Sequence, residues 1–247
     1  MNFTILRFDS IGSTNTEALN QARQGADEGL CVVARRQTAG RGRHGREWIS
    51  DANAGLYFSI VLRPQIENKF LPLITLLTAV AVSDVLGKLY GLATDIKWAN
   101  DVHVGGKKIC GILAEMTETT RGLAIVVGIG INLKSSNLPR ELRETATSIE
   151  QETDQTPDAE ILLRNLTRNL DEFYRLLNEK NGAARIRHEW ARRSSFYEGK
   201  MVRVKLADET ITGTTRGLEE NGALRVEINC GAIKIVQAGD VEMLRKV

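Results

Sequence analysis

The sequence is poor in cysteine, histidine and long apolar runs, and each shortage argues against a class of protein. The three cysteines, Cys31, Cys110 and Cys230, lie far apart without a C-x-x-C pair, so we expect reduced thiols in the core. The three histidines lack the spacing of metal ligands, which predicts that the chain holds no zinc. The sequence shows no signal peptide, and we expect no apolar run of membrane-spanning length. Together these absences predict a soluble cytoplasmic protein without a membrane partner.

An excess of charge of one sign is also missing. The chain has 33 lysines and arginines against 31 aspartates and glutamates, which gives a formal net charge of +2 at pH 7. General nucleic-acid binding needs a broad basic surface, and this balance does not provide one. A length of 247 residues with 42% hydrophobic residues is sufficient for a buried core in one or two domains. The basic character is local, which favours a small anionic ligand over a polyanion.

The basic residues concentrate in a glycine–arginine loop, residues 40–46, with the sequence Gly-Arg-Gly-Arg-His-Gly-Arg. Five arginines and no acid lie between Arg35 and Arg46. Glycine lets the backbone approach a ligand closely, while guanidinium groups bind phosphate or carboxylate through paired hydrogen bonds. Because like charges repel, we expect a loop that is mobile when empty and ordered around an anion. The alternative is a solvated surface loop without a ligand.

The same glycines match the dinucleotide pattern G-x-G-x-x-G, but their context does not fit. A Rossmann turn leaves a strand and opens a helix, whereas the residues after Gly45 contain turn formers and no helical period. Arginines also occupy positions that such a turn keeps small or apolar. The P-loop pattern G-x-x-x-x-G-K-[ST] is absent from the sequence. Nicotinamide, flavin and P-loop nucleotide folds are therefore not favoured.

Hydrophobic periodicity predicts an α+β fold with strands and helices in mixed order. The apolar runs predict a long buried helix over residues 71–90, and strands near residues 3–8, 30–35, 55–63, 95–98, 102–104, 108–115 and 123–133. Two amphipathic helices are predicted over 161–177 and 183–193, and alternating residues with regular glycines then indicate short strands. We therefore expect a mixed β-sheet catalytic domain flanked by helices at residues 1–197, and a small β-barrel domain at 198–247.

Further polar clusters lie at predicted turns, and each has a purely structural alternative. Residues 13–15, Ser-Thr-Asn, suit hydrogen bonding to a neutral ligand, although helix caps use the same residue types. Residues 97–101, Lys-Trp-Ala-Asn-Asp, lie at a strand-to-turn junction and equally fit an Asx turn. Lys107 and Lys108 begin an apolar strand, where lysines also protect sheet edges. None of these clusters contains the Ser–His or Cys–His pair of nucleophilic catalysis.

The order of these motifs along the chain resembles the biotin protein ligases. The resemblance covers residues 8–133 and rests on residues 12–15, 36–48, 55–59, 97–101, 108–115 and 128–132. The final β-rich segment resembles the small C-terminal barrel of that family. One departure is Ala99, where the family usually has proline, so this turn lacks a residue with a fixed φ.

The resemblance implies a two-step reaction that depends on ATP. Biotin and ATP would give biotinyl-5′-AMP and pyrophosphate, and the adenylate would then acylate a lysine of a biotin carboxyl carrier domain. We expect ATP and Mg²⁺ as a substrate complex, biotin as the second substrate, and no tightly bound cofactor. Because the biotin carboxylate is itself the nucleophile, the enzyme would mainly hold two anions together and stabilise charge on the α-phosphate.

The resemblance also implies a role for each site residue. Catalysis would depend on Lys108, Arg41 and Asp101, the last of which would orient or deprotonate the incoming lysine amine. The expected biotin-binding residues are Ser13, Thr14, Asn15, Gln37, Gly40, Arg41, Gly42, Arg43, Lys108 and Gly111. The expected ATP-binding residues are Arg43, Arg46, Trp48, Asn100, Lys108 and Asn132. Because a mixed anhydride hydrolyses readily, an ordered loop over the adenylate would protect it from water.

Several expectations about partners follow, and alternatives stay open. The first predicted strand begins close to Met1, so we expect the chain to lack the DNA-binding domain of the bifunctional family members. Residues 126–131 fit either an edge strand that pairs in a homodimer or a buried central strand. A lipoate–protein ligase is disfavoured because its Gly-Gly-Gly type motif is missing. A non-catalytic biotin sensor is disfavoured because the key cations are all present.

Overall fold

The computed structural model of the chain describes residues 1–135, 139–206, 208–228 and 231–243. Its larger part is built on a seven-stranded sheet with the strand order β1-β2-β3-β7-β6-β5-β4. The strands are β1 (Thr4–Phe8), β2 (Leu30–Ala34), β3 (Gly55–Leu62), β4 (Thr94–Lys97), β5 (Asp101–Val104), β6 (Lys107–Thr119) and β7 (Gly122–Asn132). β1 and β2 are parallel, and the other neighbouring pairs are antiparallel. The predicted mixed sheet is confirmed.

The parallel pair brings two distant motifs together. Phe8 lies opposite Ala34 at the ends of β1 and β2, and the chain continues through a further bridge between Ile11 and Gln37. Residues 13–15, which follow β1, and Gln37, which follows β2, therefore meet at one edge of the sheet. Two motifs that are separate in the sequence become neighbours because both follow strands that run in the same direction.

Helices flank this sheet, as predicted. In the described residues they are α1 (Thr14–Arg23), α2 (Leu73–Tyr90), α3 (Ile149–Thr153), α4 (Ala159–Asn178) and α5 (Gly182–Ala191). α1 packs on β2, β3, β6 and β7 through a small cluster that contains Ala18 and Ala22. α2 packs against α4, α5 and the strands β4 to β6 in the larger core. The helices that cover the sheet thus pack in two separate hydrophobic clusters.

α2 corrects one expectation from the sequence. The stretch Asn68–Tyr90 is long and apolar enough to cross a membrane by length and composition, although no such run was expected. In the fold, however, 67% of the most apolar 18-residue window of this stretch is buried inside the protein. Its leucines and valines belong to the main core, where sheet and helices surround them. A helix that is apolar on all sides is typical of such a buried position.

The C-terminal part forms a second sheet of five antiparallel strands. They are β8 (Glu198–Lys205), β9 (Thr210–Leu218), β10 (Leu224–Ile228), β11 (Ile233–Val236) and β12 (Asp240–Met243), in the order β11-β10-β9-β8-β12. Val202 and Val204 are fully buried, which confirms the predicted alternation. The indole N–H of Trp98 donates to the carbonyl of Gly222 at 2.9 Å and joins this sheet to the larger part. Closure into a barrel stays a prediction.

β7 lies in the middle of the larger sheet, so the reading of residues 126–131 as an edge strand is wrong. β3 pairs with one side of β7 and β6 with the other, and Val126 and Val127 are fully buried. The unbroken apolar run is explained by burial on both faces of the sheet. A homodimer cannot form by strand pairing across β7.

The described cysteines behave as the sequence predicts. Cys31 and Cys110 are free and buried. Burial raises the pKa of the Cys31 thiol to about 12, so the thiolate is scarce at neutral pH. Cys230 lies outside the described residues.

Candidate functional site

A cleft beside the ends of β1 and β2 collects most of the residues that the motifs predicted. The free space in and in front of the cleft, open solvent included, is about 740 Å³. The predicted residues that line it are Ser13, Thr14, Asn15, Gln37, Arg41, Gly42, Arg43, Arg46, Trp48, Asn100, Asp101, Lys108 and Gly111. Gly40 and Asn132 do not line it. The separate motifs thus belong to one site.

One end of the cleft carries neutral hydrogen-bonding groups in fixed orientations. Gln37 Oε1 accepts from the backbone N–H of Thr14 at 2.8 Å and from its hydroxyl at 3.1 Å. Gln37 Nε2 donates to Ser50 Oγ at 2.8 Å. Ser13 caps α1, and its hydroxyl accepts from the N–H of Thr16. The cap and the predicted binding role therefore coexist, and this end suits an uncharged polar ligand.

Ser59 supports two cleft residues from behind, and the motifs predicted no role for it. It lies fully buried in β3, and its Oγ is 2.6 Å from Asn15 Oδ1 and 2.8 Å from Thr14 Oγ1. Because a carbonyl oxygen only accepts, the Ser59 hydroxyl donates to Asn15. A serine within an otherwise apolar strand was the available signal, since a buried hydroxyl must find a partner.

Glycines form the floor of the cleft, where two side chains lie on the sheet. A Cβ at Gly130 would lie 2.4 Å from Cε2 of the Trp48 indole, and one at Gly111 would lie 2.8 Å from its Cζ3. A Cβ at Gly128 would lie 2.1 Å from Asn15 Oδ1. These contacts require residues without a side chain on β6 and β7. Trp48 and Asn15 can therefore lie flat against the strands.

The other end of the cleft is charged. Lys108 Nζ lies 2.8 Å from Asp101 Oδ1 and 5.3 Å from the centre of the Trp48 ring. Arg43 Nη1 donates to Asn100 Oδ1 at 2.9 Å. Burial lowers the pKa of the Arg43 guanidinium, while the nearby Asp101 carboxylate acts in the opposite direction. This end suits an anion that replaces water around the cations.

The arginines of the loop have partners that the sequence did not reveal. Arg41 Nη2 is 2.6 Å from Glu115 Oε1 on β6, and Arg46 Nη2 is 2.7 Å from Asp240 Oδ1 on β12. Burial acts to raise the pKa of the Asp240 carboxyl, but the hydrogen bond and charge of Arg46, together with the charges of His44 and Arg43, outweigh burial and lower it. The repulsion that the sequence predicts among these arginines is therefore relieved in part without a bound anion. Acidic side chains on strands that are distant in the sequence compensate part of the positive charge of the loop.

Two predicted residues lie behind the cleft. Gly40 is buried beneath the loop, where an added Cβ would lie 2.2 Å from the carbonyl oxygen of Trp48. Asn132 ends β7, and its Nδ2 donates to the carbonyl of Thr147 at 2.9 Å. The N–H of Thr147 in turn donates to the carbonyl of Lys108 at 2.9 Å. Asn132 thus supports the backbone beside Lys108, and its contact with a nucleotide stays a prediction.

A histidine that the motifs did not single out lies next to the charged end. His103 lies opposite Lys108 in the β5–β6 pair, and its Nδ1 is 3.2 Å from the carbonyl oxygen of Gly106. Because a carbonyl only accepts, Nδ1 carries the proton. Burial and the Lys97 charge lower the pKa of the imidazole, while Asp101 and the bond to Gly106 act in the opposite direction with less effect.

This depressed pKa predicts a pH-dependent stability. At a pH below 6.5, the ordinary pKa of histidine, His103 is protonated in the unfolded chain, whereas in the folded chain it binds this proton less readily. The stability that neutral His103 contributes is therefore present above pH 6.5 and is lost as the pH falls through the folded pKa. We expect His103→Asn to flatten this decrease, by at most about 1.4 kcal/mol per pH unit, the value for one proton. Denaturant unfolding at several pH values between about 5 and 8 measures the free energy of unfolding that this prediction concerns. The control is His188→Gln, which replaces an exposed histidine. An unchanged dependence of stability on pH in His103→Asn would contradict the prediction.

The described residues contain no cluster that would hold a resident metal ion. No group of three or more histidine, cysteine, aspartate or glutamate side chains in them is close enough to do so. Magnesium that is bound to nucleotide phosphates usually keeps several waters and needs only one or two carboxylates. The cleft offers Asp101 for such a contact, beside Lys108.

Both parts of the chain match known protein families. A model of the biotin/lipoate A/B protein ligase family matches residues 7–132. A model of the biotin protein ligase C-terminal domain matches residues 198–244. The first match contains nearly all the residues that line the cleft, and the second contains Asp240.

Three individual proteins show the extent of the similarity. The chain is 35% identical over 242 residues to the bifunctional ligase/repressor BirA of Bacillus subtilis, covering 97% of this chain and 74% of that protein. It is 33% identical to the biotin–[acetyl-CoA-carboxylase] ligase of Mycobacterium tuberculosis, covering 95% of this chain and 86% of that protein. The fold is similar to that of the Aquifex aeolicus biotin protein ligase in complex with biotin and ATP. That comparison has a TM-score of 0.84 at 30% identity and covers 98% of this chain and 99% of that chain.

Proposed function

The chain belongs to the biotin/lipoate A/B protein ligase family, as one of its biotin protein ligases, and from this membership we propose how its cleft works. It activates biotin with ATP as biotinyl-5′-AMP and transfers the biotinyl group to a lysine of a biotin carboxyl carrier domain. The observation that carries this proposal is the position of Lys108. Its ammonium lies in the cleft with the neutral groups of residues 13–15 and the arginines of the loop.

The neutral end of the cleft fits the ring system of biotin. A ureido group has one carbonyl acceptor and two N–H donors and bears no charge, so it needs neutral partners of both kinds. Ser13, Thr14, Asn15 and Gln37 provide hydroxyl and amide groups in this region. The bonds among these side chains fix their orientation before the ligand arrives, which reduces the entropy lost on binding.

Adenylation then takes place towards the charged end. A carboxylate oxygen of biotin attacks the α-phosphorus of ATP, a new P–O bond forms, and the bond to pyrophosphate breaks. Lys108, placed beside both groups, would offset their repulsion and stabilise the charge that grows on the α-phosphate. Arg43 and Arg46 would bind the phosphates, and Trp48 would pack against the adenine. Mg²⁺ would arrive with ATP and neutralise the phosphates.

Transfer completes the reaction. The ε-amine of the acceptor lysine attacks the carbonyl of the mixed anhydride, an amide forms, and AMP leaves as the C–O bond breaks. The amine must lose a proton, and Asp101 is a carboxylate in the cleft that could orient the amine or accept that proton. Its ion pair with Lys108 is consistent with a role in orientation.

Pyrophosphate exchange into ATP tests the first step. We expect exchange that depends on Mg²⁺ and on biotin, with none when lipoate or octanoate replaces biotin. Exchange with lipoate or octanoate instead would assign the chain to the lipoate branch of the family. Binding of biotin without any exchange would make it a sensor.

Other expectations stay proposals with their own tests. The chain spans 74% of the length of the Bacillus subtilis ligase/repressor, and an operator gel shift would test the expectation that it does not bind DNA. Sedimentation with and without biotin and ATP would test for a homodimer. The expected cytoplasmic location would be tested by fractionation.

A further inference from the structure

Glu115 lies beside the cleft and has no role in the reaction described above. Gly111, Leu113 and Glu115 alternate along β6 on the face that carries the cleft and α1, and the first two line the cleft itself. The Glu115 side chain is 23% exposed, so it is neither a free surface acid nor a core residue. A half-buried carboxylate next to a binding site needs donors for both of its oxygens.

Each oxygen of Glu115 accepts from a different structural element. Oε1 accepts from Arg41 Nη2 of the glycine–arginine loop at 2.6 Å, and Oε2 accepts from Asn15 Nδ2 of α1 at 2.9 Å. Arg41 Nη1 also donates to Thr16 Oγ1, at 3.5 Å. One carboxylate thus fastens the loop to the beginning of α1, across the end of the cleft that we assign to biotin.

The same carboxylate decides how the Asn15 amide is turned. A carboxylate only accepts hydrogen bonds, so it must face the NH₂ group of Asn15. That leaves Oδ1 towards Ser59 Oγ, 2.6 Å away. The Asn15 Nδ2 also donates to the carbonyl of Leu113 at 3.2 Å. Glu115 therefore fixes the orientation of an amide in the neutral end of the cleft.

The pairing also changes the role expected of Arg41. Its positive charge is already offset by Glu115, whereas Lys108 and Arg43 belong to the charged end of the cleft. We propose that Glu115 is a positioning residue that closes the glycine–arginine loop over bound biotin by holding Arg41 and Asn15, and so sets how long biotin and its adenylate are retained. The proposal rests on the function proposed above and assigns to Glu115 no part in bond making or breaking.

Glu115→Gln tests this, because a glutamine side chain has one oxygen acceptor and cannot satisfy both Arg41 and Asn15. We expect the dissociation rate of biotin and the KM for biotin to rise on the order of 10-fold, the usual effect of losing a charged hydrogen bond. The KM for ATP stays within about twofold, because the phosphate end is untouched. A general loss of structure would instead change both KM values and the melting temperature.

The matched control is Glu118→Gln, which removes an exposed acid from the same strand. No side-chain partner of Glu118 is found among the described residues, so this variant should behave like the unchanged protein. A double variant with Arg41→Gln gives a second check. If the ion pair carries the effect, adding Glu115→Gln to Arg41→Gln raises the KM for biotin by less than it does alone.

Trypsin provides a readout that does not depend on catalysis, because it cleaves after arginine. We expect faster cleavage within residues 40–46 in Glu115→Gln than in Glu118→Gln, without ligands. Equal cleavage together with an unchanged KM for biotin would overturn the proposal. A chain without biotin-dependent exchange would refute the proposed function, and the cleavage rates would still decide whether Glu115 holds the loop.

Discussion

Replacing Lys108 with alanine is expected to slow biotinyl-adenylate formation by about 10²–10³, the usual loss for one preorganised charge donor. Two anions, the biotin carboxylate and the α-phosphate, must approach each other in the cleft, and within the described part of the chain no other lysine lines it. The backbone holds Lys108 in place, since its N–H donates to the carbonyl of Thr145 at 2.8 Å. A single-turnover measurement of adenylate formation, with biotin and ATP both saturating, separates this effect from weaker binding.

Lys107→Ala is the control for this prediction. The Lys107 ammonium donates to the carbonyl of Arg143 at 3.1 Å and does not line the cleft, so its loss should leave the rate within about threefold. A Lys108→Ala variant that forms adenylate at nearly the normal rate would remove Lys108 from its assigned role. An equal decrease of the rate in both variants would indicate that the substitutions damage β6, and that the loss of the Lys108 charge is not the cause.

Replacing Gly40 with alanine is expected to raise the leakage of biotinyl-adenylate into water on the order of 10-fold. The added Cβ would lie 2.2 Å from the carbonyl oxygen of Trp48, so the backbone of the loop must move. That movement also strains the hydrogen bond from the Trp48 N–H to the Gly40 carbonyl, at 3.0 Å. Overpacking of this kind typically costs about 1–3 kcal/mol, and each 1.4 kcal/mol is a tenfold change in an equilibrium. AMP release without an acceptor measures the leakage.

Gly42→Ala is the matched comparison on the same loop. An added Cβ at Gly42 would approach the carbonyl oxygen of Arg46 only to 3.2 Å, which a small shift relieves. We therefore expect leakage close to that of the unchanged protein. Leakage that is equal in the two variants, or higher in Gly42→Ala, would contradict the role of Gly40 as the closely packed base of the loop.

The sequence predicted the elements of the larger sheet because their signals are local. Alternation, apolar runs and turn residues mark strands such as β3, and Gly91, with φ 68°, ends α2 where the helical period ends. Of the residues that the motifs predicted for the site, all but Gly40 and Asn132 line the cleft. Most of them lie at the ends of strands or in the loop, where polar residues are easily distinguished from apolar strands.

The sequence could not predict which acids would meet the arginines of the loop. Glu115 lies within a strand and Asp240 lies in the second sheet, and only the fold brings them to Arg41 and Arg46. The central position of β7 could not be predicted either, because a buried edge strand and a buried central strand give the same apolar run in the sequence. The sequence also could not show that Gly40 packs closely beneath Trp48, because that depends on interatomic distances, and its contact with biotin stays a prediction.

Transfer of biotin to an acceptor tests the central claim most directly. The purified chain would be incubated with Mg²⁺, ATP, biotin and an isolated biotin carboxyl carrier domain, and the acceptor analysed by mass spectrometry. We predict one biotinyl group on the acceptor lysine, dependent on ATP, absent from an acceptor with arginine at that position, and not replaced by a lipoyl group when lipoate is supplied. An unmodified acceptor in the presence of accumulated adenylate, or a lipoylated one, would contradict the account.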